Sequence, residues 1–286
     1  MRIEYGAASW SGPAVDCREL AVSVRAVVAA VRATGPAAVG DGRALRVDCE
    51  PPGSVFEHVG VVRSDASVDV RAALAAAARS LDVDVEGVEA LEAAREELAA
   101  VEVPEVDVSG ARERVAEARA AAEAVTADVA AARGAVQARE DLDADVDAGR
   151  ERLRAAVADA SERETELVAA EQALARERER AREARDARER RLSLADRVGR
   201  LEREVRANRV AATWSAFRDA VAAVPGGDVD DVGAEPGSFA GADATAALAA
   251  VRVADVTAPV VVGVDRFDDA ETAHRVLDAP VVLAVD

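Results

Sequence analysis

There is no lysine in this chain: all 36 basic residues are arginine. Asparagine occurs once, as Asn208, and isoleucine once, as Ile3. A phosphate-binding P-loop needs Gly-rich backbone closed by a Lys, in the form G-x-x-x-x-G-K-[ST]. The nearest approach, Gly35-Pro-Ala-Ala-Val-Gly40-Asp-Gly-Arg, puts Asp41 where that Lys belongs, which argues against an ATPase site carried by this chain alone. Two cysteines, Cys17 and Cys49, are too few for a disulfide framework or a four-ligand zinc site, and each is expected in a core as a small apolar residue. The two histidines, His58 and His274, lie in different modules, and no G-x-S-x-G elbow marks a nucleophile beside either. No catalytic, cofactor-binding or metal-ligating residue is therefore assigned. No apolar run of about 18 residues and no basic leader with a hydrophobic core occurs, so a cytoplasmic protein without a membrane span is expected.

What is abundant is acid. The formal charge is −19 over 286 residues, with 55 Asp and Glu. Together with the scarcity of residues that have AT-rich codons, this composition resembles the proteome of a halophilic archaeon. Acidity of that kind keeps a protein hydrated in concentrated salt and is not read as a binding signal.

The stretch Ser109 to Val224 organises the rest. Val115, Ala118, Ala122, Val125, Val129, Ala132 and Val136 alternate steps of three and four, the spacing of a heptad seam. Val146, Leu153, Ala160, Leu167 and Leu174 keep strict sevens, and Leu194, Val198, Leu201, Val205, Asn208 and Ala212 return to threes and fours. The first two runs are out of register, and the Asp-rich segment Glu140 to Gly149 between them predicts the tip of an antiparallel hairpin. A stutter inside one continuous helix is the alternative. Between Leu174 and Leu192 the apolar residues are all Ala, so helix propensity and i,i+4 charge pairs are expected to hold the weakest part of the coil. Asn208, at a seam position, is a candidate register-setting residue.

On either side lie shorter elements. Arg2 to Tyr5 reads as a strand, followed by a turn region with Trp10. Asp16 and Glu19 read as the capping box of a helix carrying Leu20, Val24, Val27, Val28 and Val31, stopped by Gly35-Pro36. Leu45, Val47 and Cys49 alternate as a strand, and Ser54 to Arg63 reads as another. Helices are predicted at Val68 to Leu81, Val88 to Val101 and Ala242 to Val251. Pro259 to Val264, a helix capped by Asp268 and Glu271, and Pro280 to Val285 form a βαβ unit with a covered parallel sheet. All seven aromatics avoid Glu57 through Thr213, and Trp214, Phe217 and Val221 step along one helical face as the root of the arm. The expected fold is α+β: a small α/β head formed by both chain ends, with an inserted long antiparallel helical coiled-coil hairpin. Its divisions are an N-terminal module over 1–104, the hairpin over 109–224 with its tip near 140–150, a loop over 225–241, and a C-terminal βαβ module over 242–286.

This head, coil, head order resembles the layout of the SMC/Rad50 class of chromosome proteins, and Val260-Val-Val-Gly-Val-Asp265 resembles a Walker B strand. The ATP-hydrolysing members usually place Glu after that acid, whereas Arg266 follows here. The resemblance implies a chromosome- or nucleic-acid-associated factor lacking its own ATPase site. Arg176 to Arg209 holds 13 Arg against 8 acids, and Arg188, Arg190 and Arg191 are its candidate nucleic-acid or partner contacts. Asp265, Asp268 and Asp269 could hold Mg2+, although ending a strand and capping a helix explains them as well. The first reading is a non-enzymatic coiled-coil scaffold with a protein partner or self-association through the coil. The SMC-like reading stands second, and an enzyme built on Asp265 third.

Overall fold

A computed structural model of the chain describes residues 1–20, 22–33 and 44–285, together with the backbone of 37–38. The segment nearest to a P-loop and the Gly35-Pro36 helix stop fall almost wholly outside the described residues. The chain divides into two compact units, one made of Met1–Glu92 with Val198–Asp286 and the other of Ala93–Arg197.

In the first unit, β1 (Arg2–Tyr5) and β2 (Ala8–Ser11) form a hairpin with Ile3 opposite Trp10. Its turn uses Gly6 at φ +61, a conformation glycine reaches without strain. Trp10 thus sits on a strand and not in a turn. The chain continues through β3 (Ala14–Asp16), α1 (Val24–Arg32), β4 (Ala37–Ala38) and β5 (Ala44–Asp48). Then come α2 (Phe56–Val59), β6 (Val61–Val62), α3 (Val70–Ser80) and α4 (Val88–Ala99). Helices α5 (Val108–Glu140) and α6 (Asp147–Ala223) follow, and then α7 (Asp243–Val253), β7 (Val260–Val262), α8 (Ala270–Leu277) and β8 (Val281–Leu283).

Two sheets result. The antiparallel one has strand order β2-β1-β5-β4, and the parallel one β3-β8-β7-β6, so the second interleaves strands from both ends of the chain. Pleating sorts the parallel strands onto two cores. Val260, Val262, Val281 and Leu283 join a core with α3, α7, α8 and Phe217, while Val261, Val282 and Ala284 join one with α1, Ile3, Leu45 and Phe56. Both faces are covered, which is why β7 and β8 read as unbroken apolar runs. Helices α3 and α7 pack together, and the alanines along both, among them Ala73, Ala76, Ala77, Ala246, Ala247 and Ala250, are buried, so small side chains on both helices favour close approach.

Three local expectations are corrected. Ser54 to Arg63 is not one strand: Val55, Phe56 and Val59 are buried by the short helix α2, and only Val61–Val62 pairs with β7. Asp16 does not cap α1; it ends β3, and Ser23 accepts the Ala26 N–H instead. Asp269, not Asp268, caps α8, accepting the Thr272 N–H at 2.7 Å.

In the second unit, the shielded residues of α5 include Val115, Ala118, Ala122, Val125, Val129, Ala132 and Val136, with nearly every other side chain exposed. On α6 the shielded residues from Gly149 to Ala184 include a series that steps by four and three, Leu153, Leu167 and Leu174 among them, and Val146 just before the helix is half-buried. Contacts pair α5 with α6 in opposite directions: Asp107 with Glu177, Arg119 with Glu171, and Glu140 with Arg150. Residues 141–146 form a non-helical connection in which Asp143 takes φ +51, so the helix is interrupted here. The Ala-only stretch of α6 also has a physical explanation. Its partner is not a helix but the extended segment 101–107, which lies beside Ala187 at Val101 and beside Glu177 at Asp107. Ala184 is wholly buried there, and the local charge pairs, Glu177 with Arg180 and Glu179 with Arg182, are spaced by three and not four.

Candidate functional site

Open parallel sheets bind ligands at the carboxyl ends of their strands, which makes that edge the candidate site. Asp16 ends β3 and Asp265 follows β7 there. Arg18 occupies the space between them: Nε and Nη2 donate to the Asp16 carboxylate at 3.0 and 2.6 Å, Nη1 to Phe267 O at 3.0 Å, and Nη2 also to Asp268 O at 2.8 Å. Burial alone would raise the Asp16 pKa, but hydrogen bonds from Arg18 and its charge bring the carboxyl below its ordinary value. The hydrogen bond to Asp16 in turn raises the Arg18 pKa. Burial, with the Asp16 charge adding, pushes the Cys17 thiol up to about 11, which leaves no thiolate near neutral pH. The edge is thus a latch tying the end of β3 to the loop before α8.

The three carboxylates considered for Mg2+ are used differently. Asp265 is fully exposed and 3.9 Å from Arg18 Nη1, Asp268 contributes its backbone carbonyl to Arg18, and Asp269 is held below its ordinary pKa by the Thr272 N–H it caps. Among the described residues no group of three His, Cys, Asp or Glu is placed to hold a metal. His58 is exposed on α2, and His274, half-buried on α8, donates Nδ1–H to Ala279 O at 2.7 Å.

The predicted arm root lies within the core of the first unit. Phe217 and Val221 are fully buried. Trp214 stacks on Phe217 at 5.3 Å between centroids, Phe239 meets Phe217 edge-on at 5.7 Å, and the Trp214 indole N–H donates to Gly233 O. Of the third seam run, Leu194 and Val205 are buried and Val198 and Leu201 half-buried, but Asn208 and Ala212 are exposed. Asn208 donates instead to Glu86 O at 3.0 Å, ahead of α4, so it anchors a loop and does not face another Asn across a seam. Val210, Thr213 and Phe217 carry the buried face onward.

Arg188, Arg190 and Arg191 are exposed and, among the described residues, take part in no ion pair. They are not alone on their surface. Glu97, Glu102 and Asp186 line one groove with Arg190, and Arg197 pairs with Glu97 at 3.8 Å. Residues 93–107 hold five acids and one Arg, which offsets the basic excess of the facing part of α6.

Sequence reasoning missed Arg18 and Phe239. For Arg18 a partial signal existed: Arg46 with Asp48 and Arg2 with Glu4 are opposite charges two residues apart on one face of a strand, and Asp16 with Arg18 keeps that spacing where β3 gives way to a 3-10 turn. A family model described as a family of unknown function (DUF7856) matches residues 12–281. No curated protein and no solved structure matches the chain.

Proposed function

We propose that this chain, which belongs to the DUF7856 family of unknown function, is a non-enzymatic coiled-coil scaffold of the cytoplasm of a halophilic archaeon. In this reading α5 and the 147–197 part of α6 form an antiparallel coiled-coil hairpin. The observation that carries it is the shielding pattern along α5 and α6. A single three-four stripe is covered, and the remaining surface is charged and solvated over tens of residues. Such a charged, solvated surface is suited to spacing and docking. Among the described residues no helix is long and apolar enough to cross a membrane.

The second reading, an SMC-like nucleic-acid-associated factor, draws on the exposed, unpaired Arg188, Arg190 and Arg191. The neighbouring Glu97, Glu102 and Asp186 weigh against it, and so does multimolar salt, which removes most of the counterion-release gain. Affinity capture of the tagged chain at native KCl, with and without nuclease, separates the two. The scaffold reading expects a discrete protein that survives nuclease. Recovery that collapses with nuclease, and with Arg188, Arg190 and Arg191 changed to Glu, overturns it. Metal-dependent turnover lost in Asp265→Ala would replace both with an enzyme.

A further inference from the structure

Three of the large apolar side chains left exposed in the second unit, Val157, Val168 and Leu192, lie on α6 at 48%, 51% and 68% exposure. Val157 and Leu192 are 35 residues apart, five whole heptads. The positions between them at the same heptad place are Glu164, Glu171, Arg178 and Arg185, all exposed. Read from one end, this stripe is apolar, acid, acid, base, base, apolar. Turned end for end, it becomes apolar, base, base, acid, acid, apolar, which is its own complement.

We infer that this stripe is an interface with a second copy of the chain, two α6 helices lying antiparallel about a two-fold axis between Leu174 and Ala175. Closed two-fold interfaces must be self-complementary, and this pattern meets that requirement in one register. Val157 of each copy meets Leu192 of the other, Glu164 meets Arg185, and Glu171 meets Arg178. The parallel arrangement would put Glu on Glu and Arg on Arg at all four charged positions, so charge fixes direction as well as register. Near the axis the neighbouring places on the same flank are Val168 and Ala175, both exposed and small enough for close approach. Among the described residues Glu164, Arg178 and Arg185 take part in no ion pair, and only Glu171 has a partner, Arg119 at 3.1 Å. At the helical rise the stripe is about 52 Å long. The inference rests on reading the second unit as an association element, but the two can fail separately.

The test uses the full chain at the lowest KCl in which circular dichroism shows the helices intact. Sedimentation over a concentration series is expected to show a dimer, and R178E with R185E, which turns four attractive pairs repulsive, to weaken it at least about tenfold. Adding E164R and E171R to that variant restores complementarity in reverse, and the dimer returns. In a Cys49→Ser background, Val157→Cys mixed with Leu192→Cys forms a disulfide between copies, and Val157→Cys alone does not. A monomer throughout the series, a fourfold swap that fails to restore the dimer, or a Val157→Cys self-disulfide each overturns the interface. Capture of a different protein partner by a chain that stays monomeric would leave the scaffold reading intact.

Discussion

Replacing Phe217 by Ala tests whether the end of α6 is part of the core of the first unit or merely lies on it. The ring is fully buried, stacked on Trp214 at 5.3 Å and met edge-on by Phe239 at 5.7 Å. Truncating a buried Phe costs about 3–5 kcal/mol from lost transfer energy and the cavity left behind. Two aromatic pairs, each adding about 0.5–1.5 kcal/mol, place the expected loss in the upper part of that range. Phe217→Leu keeps most of the volume and loses only the ring geometry, so it should cost less than half as much. Urea denaturation followed by Trp214 fluorescence, in a Trp10→Phe background so that one indole reports, measures both variants at constant KCl. A loss below about 1 kcal/mol for Phe217→Ala would refute the reasoning, because a ring so enclosed cannot be removed at that cost unless the core closes over it.

Ala184→Leu should destabilise the second unit by about 1–3 kcal/mol, since the wholly buried Ala184 lies where the partner is an extended segment with no room for a larger side chain; thermal melting by circular dichroism reads this. Asp69→Ala removes the oxygen that accepts the Ala72 N–H at 3.0 Å and should cost about 1 kcal/mol at the start of α3, again by melting. The folded-state pKa of Asp16 is lowered, so its contribution is present above the unfolded carboxylate value of about 3.9 and is lost as pH falls through the folded value. Wild type should therefore be more stable than Asp16→Asn at pH 6, with the gap closing in acid.

What could be read from the sequence follows from the range of the forces involved. The α5 stripe was legible because Val115, Val125, Val129 and Val136 repeat a local period and most other side chains on that helix are exposed. The strands β7 and β8 were legible because both faces are covered and every residue is apolar. Val55 to Val62 misled because buried residues at 55, 56, 59 and 62 fit a strand about as well as a turn of helix followed by two strand residues. The Asp16 and Glu19 spacing imitated a capping box, while the Asp16 carboxylate was committed to Arg18. Pairing of β3 with β8 joins residues more than 260 positions apart, and no local pattern carries that information. Asn208 suggested a seam by its spacing, but the buried face of α6 shifts past it to Val210, and the amide turns to Glu86 O.

Salt should act in opposite directions on the fold and on the inferred dimer. A formal charge of −19 repels itself in the compact state, so raising KCl screens that repulsion and favours folding of the chain. The Glu–Arg pairs between copies are exposed at their edges, and the same screening weakens them. The melting temperature should therefore climb with KCl while the dissociation constant also climbs, until only Val157, Val168 and Leu192 hold the copies together. The R178E/R185E variant begins without the attraction, so salt should strengthen its association, the reverse of wild type. Measuring both quantities over one KCl series decides the matter. If wild type and the charge-reversed variant respond to salt with the same slope, the charges do not face each other across an interface, and the heptad pattern on α6 is only a solvated flank.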